Sequence, residues 1–328
     1  MLRPDRSNRL GRSPVRPDRA RLTHYRLGPP AGRGLPYRVT GDDMASPERV
    51  TTNLPPVPTD LRLVVTDMDG TLLDEHKRIP ESLWPLLTDL DRRGIVFSPA
   101  SGRQAATLLD QLGHALPELV VIAENGAVVA RGSEKLSVTP LDASAVREVL
   151  DAAQELATAG IDLGVVLCGP DTAFVERSDD PFLAQVRPYY HSHEIVEDLR
   201  RVDGPFVKVA VYDFVDVEKD TAPRMTSLEG AMQVVVSGRN WLDVMAPGVD
   251  KAVAVRAVQQ RLGITPAQTM VFGDYLNDLA MLGTAEYSYA MANAHPEILS
   301  AAAYLAPSNA ENGVVRTVRA AIGLPDLR

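Results

Sequence analysis

Leu61-Arg62-Leu63-Val64-Val65-Thr66-Asp67-Met68-Asp69-Gly70-Thr71 is the stretch on which the fold turns. Its apolar run, Leu61–Thr66, ends in an acidic turn that contains a glycine, the pattern of a strand buried inside a parallel sheet. Carboxylates at i and i+2 just past such a strand lie at the carboxyl edge of the sheet, where open α/β sheets bind ligands. Gly70 lets the chain turn sharply, and Thr71 can fix the turn with its hydroxyl. Taken alone, an Asp-x-Asp-Gly turn reads first as an acidic cap for the next helix.

A helix follows near Glu81–Arg93, stopped by Gly94, with Pro85 in its first turn. Ile95–Ser98 reads as a strand, Gln104–Leu112 as a helix and Leu119–Ala123 as a third strand. This alternation predicts an α/β fold, a doubly wound parallel sheet with helices on both faces. The middle of the chain differs. Ala145–Ala159 is an amphipathic helix, followed by strand-like runs at Ile161–Cys168, Ala173–Glu176, Val207–Tyr212, Met232–Val236 and Trp241–Met245. Turn clusters such as Ser178-Asp179-Asp180-Pro181 separate them. After Pro247-Gly248 the first pattern returns: helix Lys251–Leu262, strand Thr269–Phe272, helix Tyr275–Leu282, strand Glu286–Met291. The expected organisation is a core of residues 59–139 and 245–328 interrupted by an inserted α+β unit, 140–244.

The 328 residues are 45% hydrophobic and 23% charged, which suits a globular protein with a sizeable core. No apolar run reaches the roughly 18–20 residues of a membrane helix. The single cysteine, Cys168, excludes an intramolecular disulfide framework and a cysteine-built zinc site, and a reducing compartment, the cytoplasm, fits best. Residues 1–58 hold 11 arginines, no lysine, five acids and 10 of the 25 prolines. They read as a disordered tail, dispensable or upstream of a true start at Met44. That tail carries a net +6, so the remaining 270 residues carry −15 of the total of −9. A body this acidic repels the phosphate backbone of nucleic acids over its surface.

The acidic turn has a counterpart. Gly273-Asp274-Tyr275-Leu276-Asn277-Asp278 follows another short strand, and Asp274 and Asp278 stand four apart at the mouth of a helix. Carboxylates at two strand ends more than 200 residues apart read as a hard-cation site of Mg2+ type. Ser101-Gly102-Arg103 follows the second strand, where a hydroxyl and a glycine N–H can hold phosphate oxygens. Lys251 opens the helix after the insertion. A carboxylate that attacks a phosphate dianion faces repulsion of about 4 kcal/mol per unit-charge pair at 4 Å and an effective dielectric near 20. A cation and an ammonium would offset it.

On these motifs the chain resembles the haloacid dehalogenase (HAD) phosphohydrolase superfamily, in its Cof-like branch with a large α/β cap. Asp67–Thr71, Ser101-Gly102-Arg103, Lys251 and Gly273–Asp278 are similar to the superfamily's four motifs, in order. Glu124-Asn125-Gly126-Ala127 and Ala290-Met291-Ala292-Asn293-Ala294 are similar to further stretches of the branch, which more often has Thr at Ser101 and Gly at Ala292. The resemblance covers roughly residues 61–325. It implies that Asp67 is a nucleophile forming an aspartyl-phosphate and Asp69 a general acid and base. It implies Mg2+ on Asp67, the backbone carbonyl of Asp69 and Asp274, with Asp278 orienting that shell through its waters. Met68 through its N–H, Ser101, Gly102, Lys251 and Asn277 would cradle the phosphoryl group. The insertion would be a cap that closes over the site and sets specificity. Its hinges would lie near Thr139-Pro140 and Ala246-Pro247-Gly248, with Tyr189–His193 a first guess for substrate contact.

The implied function is Mg2+-dependent hydrolysis of small phosphorylated metabolites, sugar phosphates first. A phosphomutase is the nearest rival, and a non-catalytic phospho-ligand sensor the rival from another class. His191 and His193 have no carboxylate partners in sequence and read as surface residues. Cys168, in an apolar strand pattern, reads as buried and inert.

Overall fold

The computed structural model describes residues 58–326. The tail reading of residues 1–58 therefore lies outside the described residues, apart from Pro58. The chain opens with β1 (Leu63–Thr66), α1 (Leu83–Arg92), β2 (Val96–Pro99), α2 (Ala105–Leu112), β3 (Val120–Ala123), β4 (Val128–Arg131) and β5 (Glu134–Val138). The insertion supplies α3 (Ala143–Thr158), β6 (Leu163–Cys168), β7 (Ala173–Val175), α4 (Asp180–Val186), β8 (His193–Ile195), β9 (Lys208–Asp213), β10 (Gln233–Gly238) and β11 (Trp241–Met245). The chain then runs through α5 (Lys251–Leu262), β12 (Thr269–Gly273), α6 (Leu279–Leu282), β13 (Tyr287–Met291), α7 (Pro296–Ala301), β14 (Tyr304–Ala306) and α8 (Gly313–Ala321).

A five-stranded sheet in the order β14-β13-β12-β1-β2 is parallel throughout. β1 lies at its heart, and all four of its residues are buried, as a strand covered on both faces requires. β1 pairs β12 in the register Thr66↔Phe272, so Asp67 and Gly273 leave the sheet side by side. Two chain segments 200 residues apart thus meet at one edge. Helices α1 and α8 pack together, as do α5 and α6.

β3 meets the parallel sheet in the expected sense, through the parallel bridge Ala100↔Ile122, but its other edge pairs antiparallel with β4, which pairs with β5. The chain reverses over 124–127, where Glu124, Asn125 and Gly126 all take positive φ. Only glycine fits at 126, since a Cβ there would run into the Asp250 carbonyl. Tyr275–Leu282, expected as one helix, is a 3-10 turn (Leu276–Asp278) followed by the short α6, because the Asp278 carboxylate takes the N–H groups of Asp274 and Tyr275. Ser178-Asp179-Asp180-Pro181 is not only a turn. Asp179 caps α4 by accepting from Phe182 N at 3.2 Å.

The insertion forms a second sheet, ordered β10-β11-β9-β6-β7-β8 and antiparallel except between β7 and β8. In β9 and β11, Lys208 stands opposite Met245, Ala210 opposite Asp243 and Tyr212 opposite Trp241. Alternation puts all six on one face. No helix among the described residues is long and apolar enough to cross a membrane.

Candidate active site

The edge of the parallel sheet gathers charge that is almost wholly shielded from water. Asp67 follows β1, and Lys251 opens α5 behind Asp250, which caps that helix by accepting from Val253 N at 2.6 Å. The Lys251 ammonium is fully buried and donates to Asp67 Oδ1 at 2.5 Å and Asp278 Oδ1 at 2.6 Å. Asp278 Oδ2 accepts from the backbone N–H of Asp274 at 2.9 Å and of Tyr275 at 3.2 Å. Thr71 donates its hydroxyl to Asp274 Oδ1 at 2.6 Å. One oxygen from each of Asp67, Asp274 and Asp278 lies within 4.8 Å of the others.

Gly70 makes this possible. Its φ is +79°, and a Cβ there would lie inside the Asp274 carboxylate. Asn293 holds the turn from the other side, donating to the Gly70 carbonyl at 2.8 Å. Gly70→Ala should cost about 1–2 kcal/mol in backbone strain alone and should displace Asp274. We expect a lower melting temperature together with loss of activity; a folded variant of unchanged activity would contradict this packing.

Burial pushes the Asp67 carboxyl up to about 7, with Asp278's charge adding to the rise and Lys251 opposing it. Burial also drives Asp274 well above the ordinary carboxylate range, and its neighbours Asp67 and Asp278 push the same way. Three buried carboxylates share one ammonium, so the cluster is short of positive charge. An all-oxygen donor set of this density fits a hard divalent cation such as Mg2+.

Ser101, Gly102, Asp69, Asn277, Asp67 and Asp274 all line one cavity of about 320 Å3 above the sheet edge. Asn277 donates to Asn125 Oδ1 at 3.1 Å. Asp69 stands apart from the three-carboxylate cluster. Arg103, only 2% exposed, grips its carboxylate through Nε at 3.1 Å and Nη2 at 2.8 Å. The same guanidinium donates to the Pro188 carbonyl at 2.5 Å and lies 4.7 Å from the Tyr189 ring centre, both on the insertion. Met68 buries its side chain in the core while its backbone follows Asp67.

The insertion covers the cavity with Tyr189, Tyr190, Tyr212, Ser237, Arg239, Asn240 and Trp241. Of the Tyr189–His193 stretch, the two tyrosines line the cavity. His191 is exposed, 3.9 Å from Asp110, and the His193 ring bonds the Tyr190 carbonyl, so neither faces the site. Cys168 is buried, and burial pushes its thiol well up.

Reading the residues left four partners out: Arg103 as the clamp on Asp69, Asn293 on Gly70, and Lys208 and Asp243 from the insertion. For Lys208 a signal was present. A lysine inside the apolar run Val207–Val211 needs a buried partner.

A parallel sheet edge with two acidic strand ends, a buried lysine and a covering antiparallel sheet defines a class. Residues 64–318 match the family model of haloacid dehalogenase-like hydrolases, and the chain belongs to that family, in its Cof-like branch. It is 29% identical over 261 residues to the 5-amino-6-(5-phospho-D-ribitylamino)uracil phosphatase of Escherichia coli, covering 79% of this chain and 95% of that one. It is 29% identical over 242 residues to the HMP-PP phosphatase of Cronobacter sakazakii, covering 73% and 87%. A crystal structure from Streptococcus mutans UA159 superposes with a TM-score of 0.73 at 24% identity, covering 80% of this chain and 99% of that one, and shares the fold. The protein is a phosphatase of the HAD superfamily, a phosphoric monoester hydrolase.

Proposed function

We propose that the protein is a Mg2+-dependent phosphatase of small phosphorylated metabolites, sugar phosphates first, acting through an aspartyl-phosphate on Asp67. The observation that carries this reading is the buried Lys251 ammonium shared by Asp67 and Asp278, with Asp274 alongside. Asp67 attacks phosphorus as the ester P–O bond breaks, and Asp69 gives a proton to the leaving alkoxide. Asp69 then takes a proton from the water that cleaves the aspartyl-phosphate and restores Asp67. Lys251 keeps the Asp67 carboxylate in place, and Asp278 in turn holds Lys251 and the backbone at Asp274. The Met68 N–H, Ser101, Gly102, Lys251 and Asn277 bind the phosphoryl oxygens. Mg2+ would be held by Asp67, the Asp69 backbone carbonyl and Asp274, with Asp278 orienting its waters, and would offset the repulsion between carboxylate and phosphate.

Residues 140–244 act as the cap and set specificity, since the core supplies groups for the phosphate and few for the leaving group. Asn240 and Ser237 offer hydrogen bonds, and Trp241 and Tyr212 offer aromatic surface, to a phosphorylated polyol or sugar. The E. coli relative acts, by its name, on a phosphorylated ribityl chain. The single buried cysteine fits a reducing compartment, and we place the protein in the cytoplasm.

The test is a screen against a panel of phosphorylated metabolites with Mg2+. Free phosphate is expected. An isomerised sugar phosphate would favour a phosphomutase, and binding without turnover a sensor. Tyr212→Ala and Trp241→Ala should reorder rates among sugar phosphates and change an aryl phosphate much less. An unchanged order in folded variants would take specificity away from the cap. Asp69→Asn should lower turnover by roughly 10²–10⁴-fold on alkyl phosphates and less on aryl phosphates, whose leaving groups need no proton. Equal losses on both would remove Asp69 from the acid role.

A further inference from the structure

One buried cation is not used by this chemistry. Lys208 in β9 is 1% exposed, yet it comes from the insertion and reaches into the phosphate loop of the core. Its ammonium donates to the Gly102 carbonyl at 2.6 Å and lies 2.7 Å from Glu124 Oε2 and 3.7 Å from Asp243 Oδ1. The Gly102 carbonyl takes a hydrogen bond from this ammonium and two buried carboxylates neutralise its charge, while Lys208 also lines the edge of the cavity.

The Ser101-Gly102-Arg103 loop has three carbonyls. Core backbone takes two: Asn125 N donates to Ser101 O at 2.9 Å, and Glu124 N donates to Arg103 O at 3.0 Å. The third, on Gly102, goes to Lys208. The N–H of that same peptide unit, on Arg103, donates to Ser101 Oγ at 3.2 Å. A hydroxyl that accepts from the backbone keeps its own proton for an acceptor in the cavity. Gly102 packs closely on this network, since a Cβ there would meet Asn125 Nδ2 and Asp243 Oδ2 at 3.3 Å. Asn125 donates to that Asp243 oxygen at 2.5 Å. Cap and phosphate loop therefore share one buried polar network.

We propose that Lys208 is a positioning residue: seated on the core, it fixes the Gly102–Arg103 peptide and so presents the Ser101 hydroxyl as a donor to the phosphoryl group. Phosphate affinity then depends on the seat of the cap, whatever the leaving group. This rests on the site assignment proposed above.

Orthovanadate, a phosphate mimic without a leaving group, is the probe, with binding followed by calorimetry in Mg2+. Lys208→Met alone leaves Glu124 buried without its cation, so the neutral pair Lys208→Met/Glu124→Gln is the main variant, with Asp243 still bonded to Asn125. Roughly tenfold weaker vanadate binding is expected in the folded pair variant. Ser101→Ala should weaken binding in the wild-type background and add little in the pair variant, because both changes remove one donor. A pair variant with a lowered melting temperature and wild-type vanadate affinity would make Lys208 a structural staple and overturn the proposal. Full additivity with Ser101→Ala would overturn it too. A wild-type protein that neither binds vanadate nor releases phosphate would overturn the underlying site assignment as well, which separates the two failures.

Discussion

Asp67→Asn is expected to fold normally and to lose turnover by about 10⁴-fold or more, because an amide oxygen cannot serve as the nucleophile. The substitution keeps the shape of the side chain at the most crowded point of the site. Lys251 keeps its 2.6 Å bond to Asp278, so the ammonium is not left unpaired. The loss should therefore appear in kcat rather than in the melting temperature. Measuring phosphate release and thermal unfolding on the same preparation separates the two. Substantial turnover by a folded Asp67→Asn protein would move the nucleophile elsewhere.

Removal of divalent cations is the second large effect. Chelation should abolish activity and Mg2+ restore it, whereas Ca2+, larger and more loosely coordinated, should restore it poorly. A readout independent of turnover follows from the charge imbalance. Asp67, Asp274 and Asp278 share only Lys251, and burial already drives Asp67 and Asp274 upward. A bound divalent cation stabilises such a site, by about 2.7 kcal/mol at a hundredfold excess over its Kd. Mg2+ should thus raise the melting temperature by several degrees. Full activity in chelator, or a melting temperature indifferent to Mg2+, would contradict the metal site.

The proposed site is legible where its residues sit at strand ends. Asp67 and Asp274 follow short apolar strands directly, Asp69, Ser101 and Asp278 lie a few residues further on, and strand ends in a parallel sheet converge on one edge. Contacts between distant elements were not legible. Nothing near Arg103 says that its guanidinium will close on Asp69, 34 residues earlier, or on the Pro188 carbonyl of the cap. Nor does the sequence show that the Asp278 carboxylate also holds Lys251 and two backbone N–H groups. The antiparallel partner of β3 was not legible, because Val120–Ala123 is uniformly buried and burial alone does not say that the next strand returns alongside. What decides is the positive φ at Glu124, Asn125 and Gly126, which reverses the chain. At the C-terminal end, Tyr304–Ala306 is too short to carry a period, whereas Val314, Val315 and Val318 of α8 do mark one buried helical face.

The central claim is a covalent phosphoryl group on Asp67, and its most direct test is a single-turnover experiment with radiolabelled substrate, quenched in acid and mapped by peptide. Transient label is expected on the peptide carrying Asp67, decaying as free phosphate appears, with no label in Asp67→Asn. Turnover with the protein never labelled at any time point would mean that water attacks the substrate directly and that Asp67 is not the nucleophile.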